Sequence, residues 1–243
     1  MKDITFGEKL GRSWLTCNYN GRVREYAYLP VQGTHKKCYS AINSDQEIVP
    51  AENLDLALIT NGAFSRDTPQ WNDVKDKCLI KYYTRAPIRL LWMPEKHELA
   101  GIILENDLEG EGLSTKMNIP NINGLTNEDG IYVNSDRSVI FVPAEAYKLG
   151  KHNATSFERD GFSRAIFTGE GAEIFAKTAV DNKRTPCTFG IDISKIREPT
   201  QRVPVFGDCG ADRLNLNGNN WNGSNSGFAF GVKKSAKGAS QKN

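Results

Sequence analysis

Three histidines, five cysteines and one acidic run are the residues of this chain with the chemistry to hold a metal, move a proton or attack a substrate. His35, His97 and His152 lack a second histidine at helical spacing. His97 precedes Glu98, but the H-E-x-x-H pattern that sets two ligands on one helix face is not completed. Surface or capping roles are therefore expected for all three. Cys17, Cys38, Cys78, Cys187 and Cys209 are odd in number and widely spaced. A zinc site needs close ligand pairs and a disulfide scaffold needs a dense, even set. Reduced, mostly buried thiols are expected, with a disulfide between two of them as the alternative. The run "ENDLEGE" at 105–111 offers carboxylate oxygens to a calcium ion, but its spacing is not that of an EF-hand loop, and a solvated acidic loop is expected. There is no G-x-S-x-G elbow, no G-x-G-x-x-G and no Walker loop. No catalytic residue, metal or cofactor is expected, and the protein is not expected to be an enzyme. The triplets at Asn153 and Asn222 match the N-glycosylation pattern, which without a signal peptide is expected to be accidental.

The elements that would position any site read as follows. With 243 residues, 39% of them hydrophobic, the chain can bury a core without staples. Its 31 basic and 29 acidic side chains nearly cancel, which argues against a nucleic-acid partner. No apolar run follows the opening Met-Lys-Asp and no stretch reaches membrane-spanning length. The expectation is cytoplasmic synthesis without membrane insertion, with display on a virion or cell surface by a route that needs no signal. Strands are expected at 13–19 and 23–30 around the hairpin signal Asn20-Gly21, at 78–83 ("CLIKYY"), and at 138–143, where "SVIFVP" is an apolar run stopped by proline. Pro94 breaks the apolar segment before 106, and "TPCTFGIDIS" resumes a strand. Helices are expected at 50–61, with Asn61-Gly62 as the stop, and at 171–183, with Ile174, Phe175 and Val180 as its inner face. Residues 107–137, rich in Gly, Asn, Asp and Pro, read as an insertion in a single α+β domain spanning 1–243.

The remaining feature is "NLNGNNWNGSNSGF". Six of the eleven residues at 215–225 are asparagine. Asparagine and glycine favour turns, so a turn-rich loop leading into a terminal strand is one account. Trp221, Phe228, Phe230 and Val232 are unlike a solvated tail. Asn, Ser and Gly with a rigid aromatic are also the residues of adaptable binding surfaces.

The segment "FGDCGADRLNLNGNNWNGSNSGFAFGV" resembles the C-terminal variable segment of proteins diversified by diversity-generating retroelements, whose relatives include phage receptor-binding tail proteins. In that family, reverse transcription randomises template adenines. The asparagine codon AAC then yields Ser, Thr, Gly, Asp, Tyr, Phe or Leu but never a stop. The resemblance covers roughly the last 30 residues before the basic tail. Here Gly227-Phe228 is followed by Ala229 rather than Arg, and "GDCGADR" stands where the family has G-G-S-W. The resemblance implies a C-type lectin-like fold of the branch related to the formylglycine-generating enzyme: a small mixed or antiparallel sheet, two helices and long irregular loops. It implies framing roles for Gly218, Trp221, Gly223, Gly227 and Phe228. Within a variable segment near 212–230, it implies exposed, exchangeable positions at Asp212, Leu214, Asn215, Asn217, Asn219, Asn220, Asn222, Ser224, Asn225 and Ser226, with Trp221 supplying contact area. The function so implied is recognition of a protein or cell-surface ligand, and a broad, shallow face would call for avidity through a homo-oligomer. The alternatives are a structural virion or particle protein and, more remotely, a formylglycine-generating-type enzyme.

Overall fold

The computed structural model describes residues 4–7, 12–208, 210, 212–220 and 225–234. Two-residue alternation builds the N-terminal hairpin. Arg12–Tyr19 pairs antiparallel with Arg22–Tyr28, and the turn between them has positive φ at both Asn20 (48°) and Gly21 (76°). That backbone suits the right-handed twist of the flanking strands and is the conformation an Asn-Gly pair adopts most readily. The hairpin sits in a five-stranded sheet ordered Ile4–Gly7, Arg12–Tyr19, Arg22–Tyr28, Gly231–Lys233, Ile48–Pro50. The last described strand of the chain therefore lies beside the first hairpin.

A second, larger sheet carries the asparagine stretch. Its main path runs Gly150–Lys151, Thr185–Phe189, Arg213–Asn220, Thr200–Asp208, Ile88–Met93, Gly101–Asn106, Val139–Pro143, Ile131–Val133, Thr126–Glu128. Tyr83–Arg85, Val31–Gly33 and Gly227–Ala229 attach at its side. Thr185–Phe189 runs parallel to Arg213–Asn220, whereas Thr200–Asp208 runs antiparallel to it, so the sheet is mixed. The expected strand at 138–143 is present as Val139–Pro143, with Ile140, Phe141 and Val142 buried.

Five α-helices occur among the described residues: α1 (His35–Asn43), α2 (Leu54–Ser65), α3 (Pro69–Asp73), α4 (Ala154–Arg159) and α5 (Gly161–Asp181). The mixed α+β class is as expected, with α1, α3 and α4 additional to the two helices anticipated. Helix α2 starts later than expected and runs through Asn61-Gly62 instead of stopping there. A Cβ at Gly62 would lie 2.6 Å from the buried Trp71 ring, so this glycine serves packing. Asn61 meanwhile donates to Thr178 Oγ1 at 3.0 Å and ties α2 to α5. Helix α5 begins ten residues before the expected 171. It is interrupted at Thr168 (φ 68°, ψ 171°), whose hydroxyl accepts from the Gly171 N–H and restarts the helix. Ile174 and Phe175 face inward as expected, but Val180 is 51% exposed. At about 100° per residue it stands about 140° around the helix from Phe175.

"CLIKYY" is the other departure. Residues Val74–Lys81 form a wide, π-type helical turn and only Tyr83–Arg85 is a strand. Val74, Cys78 and Leu79, at i, i+4 and i+5, are its buried side, a spacing that fits i→i+5 winding. An aromatic seam then binds α5 to the sheet. Phe167 stacks on Phe175 with centroids 4.7 Å apart and meets Phe206 edge-on at 5.7 Å. Phe206 lies on Thr200–Asp208, the strand next to the asparagines, so the core directly supports the strand pair described below.

Candidate recognition surface

The strand Arg213–Asn220 alternates strictly at first. Leu214, Leu216 and Gly218 are buried, whereas Asn215 and Asn217 are half-buried on the other face. Leu214 (1% exposed) belongs to the core, which corrects its expected place on the exposed face. The physical reason is the pleat: successive side chains point to opposite sides, and Leu214 shares the inward side with Leu216. Gly218 faces the same way. A Cβ there would come within 2.6 Å of Phe162, 2.9 Å of Trp92 and 3.0 Å of Leu90, all fully buried. Trp92 also donates its indole N–H to the Gly218 carbonyl at 2.9 Å. Gly218 thus packs the strand against the core.

Past Gly218 the register slips. Val205 faces Asn217 but Val203 faces Asn220, so three steps on one strand match two on the other. Such a bulge re-aims the side chains beyond it. Asn219 turns to Arg202, whose Nε donates to its Oδ1 at 2.8 Å, and its own N–H donates to Asn217 Oδ1 at 2.8 Å. Asn219 is therefore a latch on the bulge. Asn220 rejoins Asn215 and Asn217 on the outer face.

These three asparagines and Ser226 line a hollow of about 660 Å³. Its other walls come from the Val205–Asp208 stretch, Gly210, and the turn carrying Ile80, Lys81, Tyr82 and Tyr83. The paired tyrosines were missed in the sequence because "CLIKYY" reads as a strand throughout; two aromatics in succession, both half-exposed here, break apolar alternation and are the signal that could have found them. Tyr82 lies 5.9 Å from Phe228, and Lys81 Nζ sits 5.3 Å from the Tyr82 ring centroid. Arg85, fully buried, is 5.3 Å from the Tyr83 ring and donates from Nε to the Gly33 carbonyl. Asp208 is held by Arg184 at 2.7 Å and accepts from the Gly210 N–H. Two polar atoms of the wall, Tyr83 Oη and Asn220 Oδ1, are buried without a hydrogen-bond partner among the described residues.

The other expected positions fall elsewhere. Asp212 is in an exposed turn with φ 57°, its carbonyl accepting from the Thr185 N–H. Asn225 is exposed in the turn before Gly227–Ala229. Trp221, Asn222 and Ser224, together with Gly223 and Cys209, lie outside the described residues. Gly227 packs so closely that a Cβ would meet Arg85 Nε at 2.5 Å and Tyr83 at 2.6 Å, and Phe228 is buried beside it.

The residues first weighed for chemistry are structural. His35 and His152 are buried rather than superficial, because each has hydrogen-bond partners in the interior: Asp107 for His35, Ser156 and Thr188 for His152. His97 caps a turn, accepting from the Leu99 N–H. Burial pulls His35 below the ordinary histidine range, and its Nδ1 has no partner among the described residues, so it is neutral with the proton on Nε2. Asp107 also accepts from the Glu111 and Gly112 N–H groups. Burial raises its carboxyl, but its interaction with His35 first, and then these two backbone bonds, outweigh burial and hold it below the usual range. Glu105 pairs with Arg89. Two of the run's four carboxylates, Glu105 and Asp107, are thus tied internally, and no three His, Cys, Asp or Glu side chains converge as a metal site among the described residues. Cys17, Cys38, Cys78 and Cys187 are buried and form no disulfide among the described residues. No described helix is long and apolar enough to cross a membrane.

No family model matches the chain, and no curated protein does. Among solved structures, one of the C-type lectin fold accommodating massive sequence variation in Nanoarchaeota is similar over 86% of this chain and 97% of that chain, with a TM-score of 0.47 and 13% identity.

Proposed function

We propose that this protein recognises a protein or cell-surface target through the face formed by Asn215, Asn217, Asn220 and Ser226 with Tyr82 and Tyr83. The face would stand on a C-type lectin-like scaffold, as a binder rather than an enzyme. The observation that carries this is the division of one strand into two sets of positions. Leu214, Leu216 and Gly218 are locked into the core, whereas Asn215, Asn217 and, through the bulge, Asn220 line an open hollow. Exchange at the outer set leaves the packing of the inner set untouched, which is the property a diversifiable surface needs. Rigid elements beneath a variable surface favour binding, and asparagine with tyrosine supplies adaptable hydrogen bonds beside stiff contact area.

The test is a display library of this protein randomised at 215, 217, 220 and 226 and selected against a purified folded protein. Binders that melt near the parent temperature are expected. A library that yields none, while a library of equal size on a proven binding scaffold does, overturns the proposal.

A further inference from the structure

The chemistry of the hollow narrows its ligand, an inference that rests on the recognition role proposed above. We infer that it takes a short, extended stretch of polypeptide, uncharged where it passes the asparagine row.

The row comes first. Asn215 to Asn220 spans roughly 15 Å at about 3.3 Å per residue, the reach of about four or five residues of an extended chain laid alongside. Donors and acceptors come next. Asn217 Oδ1 is fixed as the oxygen because a backbone N–H points at it. Its amide nitrogen makes no bond among the described residues, so it is left to donate. Asn220 Oδ1 and Tyr83 Oη are buried and unpartnered there. An unbonded donor and unfilled acceptors on the walls of one hollow are the complement of a peptide group, which offers one C=O and one N–H. The charges follow. Asp208 is neutralised by Arg184, and the cations nearby, exposed Lys81 beside Tyr82 on another wall and Arg213 at the start of the strand, are not among the residues of the row, so the stretch from Asn215 to Asn220 carries no charge of its own. The aromatics argue against a sugar: Lys81 and Phe228 pack on Tyr82, while Arg85 and Gly227 pack on Tyr83, which takes up ring surface that a pyranose would need.

The experiment presents a displayed library of random linear hexapeptides, a glycan array and a panel of folded domains to the wild type, Asn220→Ala and Tyr83→Phe. Each variant is first shown to melt like the wild type. Tyr83→Phe removes one oxygen atom only, so it serves even if Asn220→Ala fails to fold. The expected result is enrichment of hexapeptides with uncharged central residues, whose affinity falls about tenfold with Asn220→Ala, as loss of one hydrogen bond would give. A smaller fall is expected with Tyr83→Phe. Failure of any hexapeptide to enrich, a consensus with a charged centre, or glycan or folded-domain binding that alone depends on these two residues overturns the inference and leaves the recognition role standing. If ligands of every class bind and none is weakened by either variant, the recognition role falls with it.

Discussion

Gly227→Ala is expected to be far more damaging than one methyl group suggests. The glycine does not have the left-handed backbone that favours glycine, so the cost is packing alone. Its new Cβ would stand 2.5 Å from Arg85 Nε, 2.6 Å from Tyr83 and 2.8 Å from Arg85 Cζ. Arg85 is fully buried and its Nε donates to the Gly33 carbonyl at 3.2 Å, so it cannot swing into solvent to make room. Overpacking of this kind costs about 1–3 kcal/mol. Displacing the guanidinium weakens a hydrogen bond from a charged donor, a further loss of about 1.5–3 kcal/mol. The sum is roughly 2.5–6 kcal/mol, or about 5–24 °C of melting temperature at about 2–4 °C per kcal/mol for a chain of this size. Exposed Asn225, two residues earlier, provides the control: Asn225→Ser should stay within about 0.5 kcal/mol. Urea denaturation of both variants is the assay. A Gly227→Ala loss below about 1 kcal/mol, or an Asn225→Ser loss of equal size, would refute the reasoning that Gly227 frames the site.

Three further outcomes follow from the same geometry. Leu214→Ala should cost about 2–5 kcal/mol in urea denaturation, the range for a fully buried leucine; a loss below about 1 kcal/mol would return Leu214 to the surface. In the His35–Asp107 pair both folded-state pKa values lie below their unfolded values, near 6.5 and 3.9, so the unfolded chain binds more protons in acid. The stabilisation should be complete above about pH 6.5, erode as pH falls, and vanish once pH has passed the folded-state values; in urea midpoints measured across the acid range, Asp107→Asn should remove the part of the decline below about pH 3.9 and leave the part that begins near pH 6.5 at least as steep, because Asp107 holds the His35 value up. In native protein at pH 8, a thiol reagent read by peptide mass mapping should leave Cys17, Cys38, Cys78 and Cys187 unlabelled until unfolding, since all four are buried and burial pushes the Cys78 thiol up to about 12.

Local signals carried much of the fold into the sequence. Asn20-Gly21 announced its hairpin because one backbone conformation suits both residues, and Val139–Pro143 announced itself because an apolar run ended by proline has few other uses. Helix α2 was legible in its apolar content but not in its end, because Gly62 answers to Trp71, a partner contributed by a later helix. The first half of α5 was illegible for a related reason: the interruption at Thr168 makes one long element read as loop and then helix. In the recognition surface, period-2 alternation was written in "RLNLNG", and the pleat assigns Leu214 and Leu216 to one side and Asn215 and Asn217 to the other. The bulge was not written there. It depends on Arg202 reaching Asn219 across the strand pair, and it alone separates Asn219 from Asn220. Tyr82 and Tyr83 reach the hollow only through the π-type turn before them, a winding that no local pattern in "VKDKCLIK" specifies.

A saturation scan of residues 213–220, with protease resistance of the displayed protein as its readout, tests most directly whether one strand is both frame and exchangeable face. Substitutions at 215, 217 and 220 should be broadly tolerated, those at 214, 216 and 218 should be rejected, and 219 should accept only residues that can still meet Arg202. Equal rejection at 215, 217 and 220, or free exchange at 214 and 218, would contradict the account.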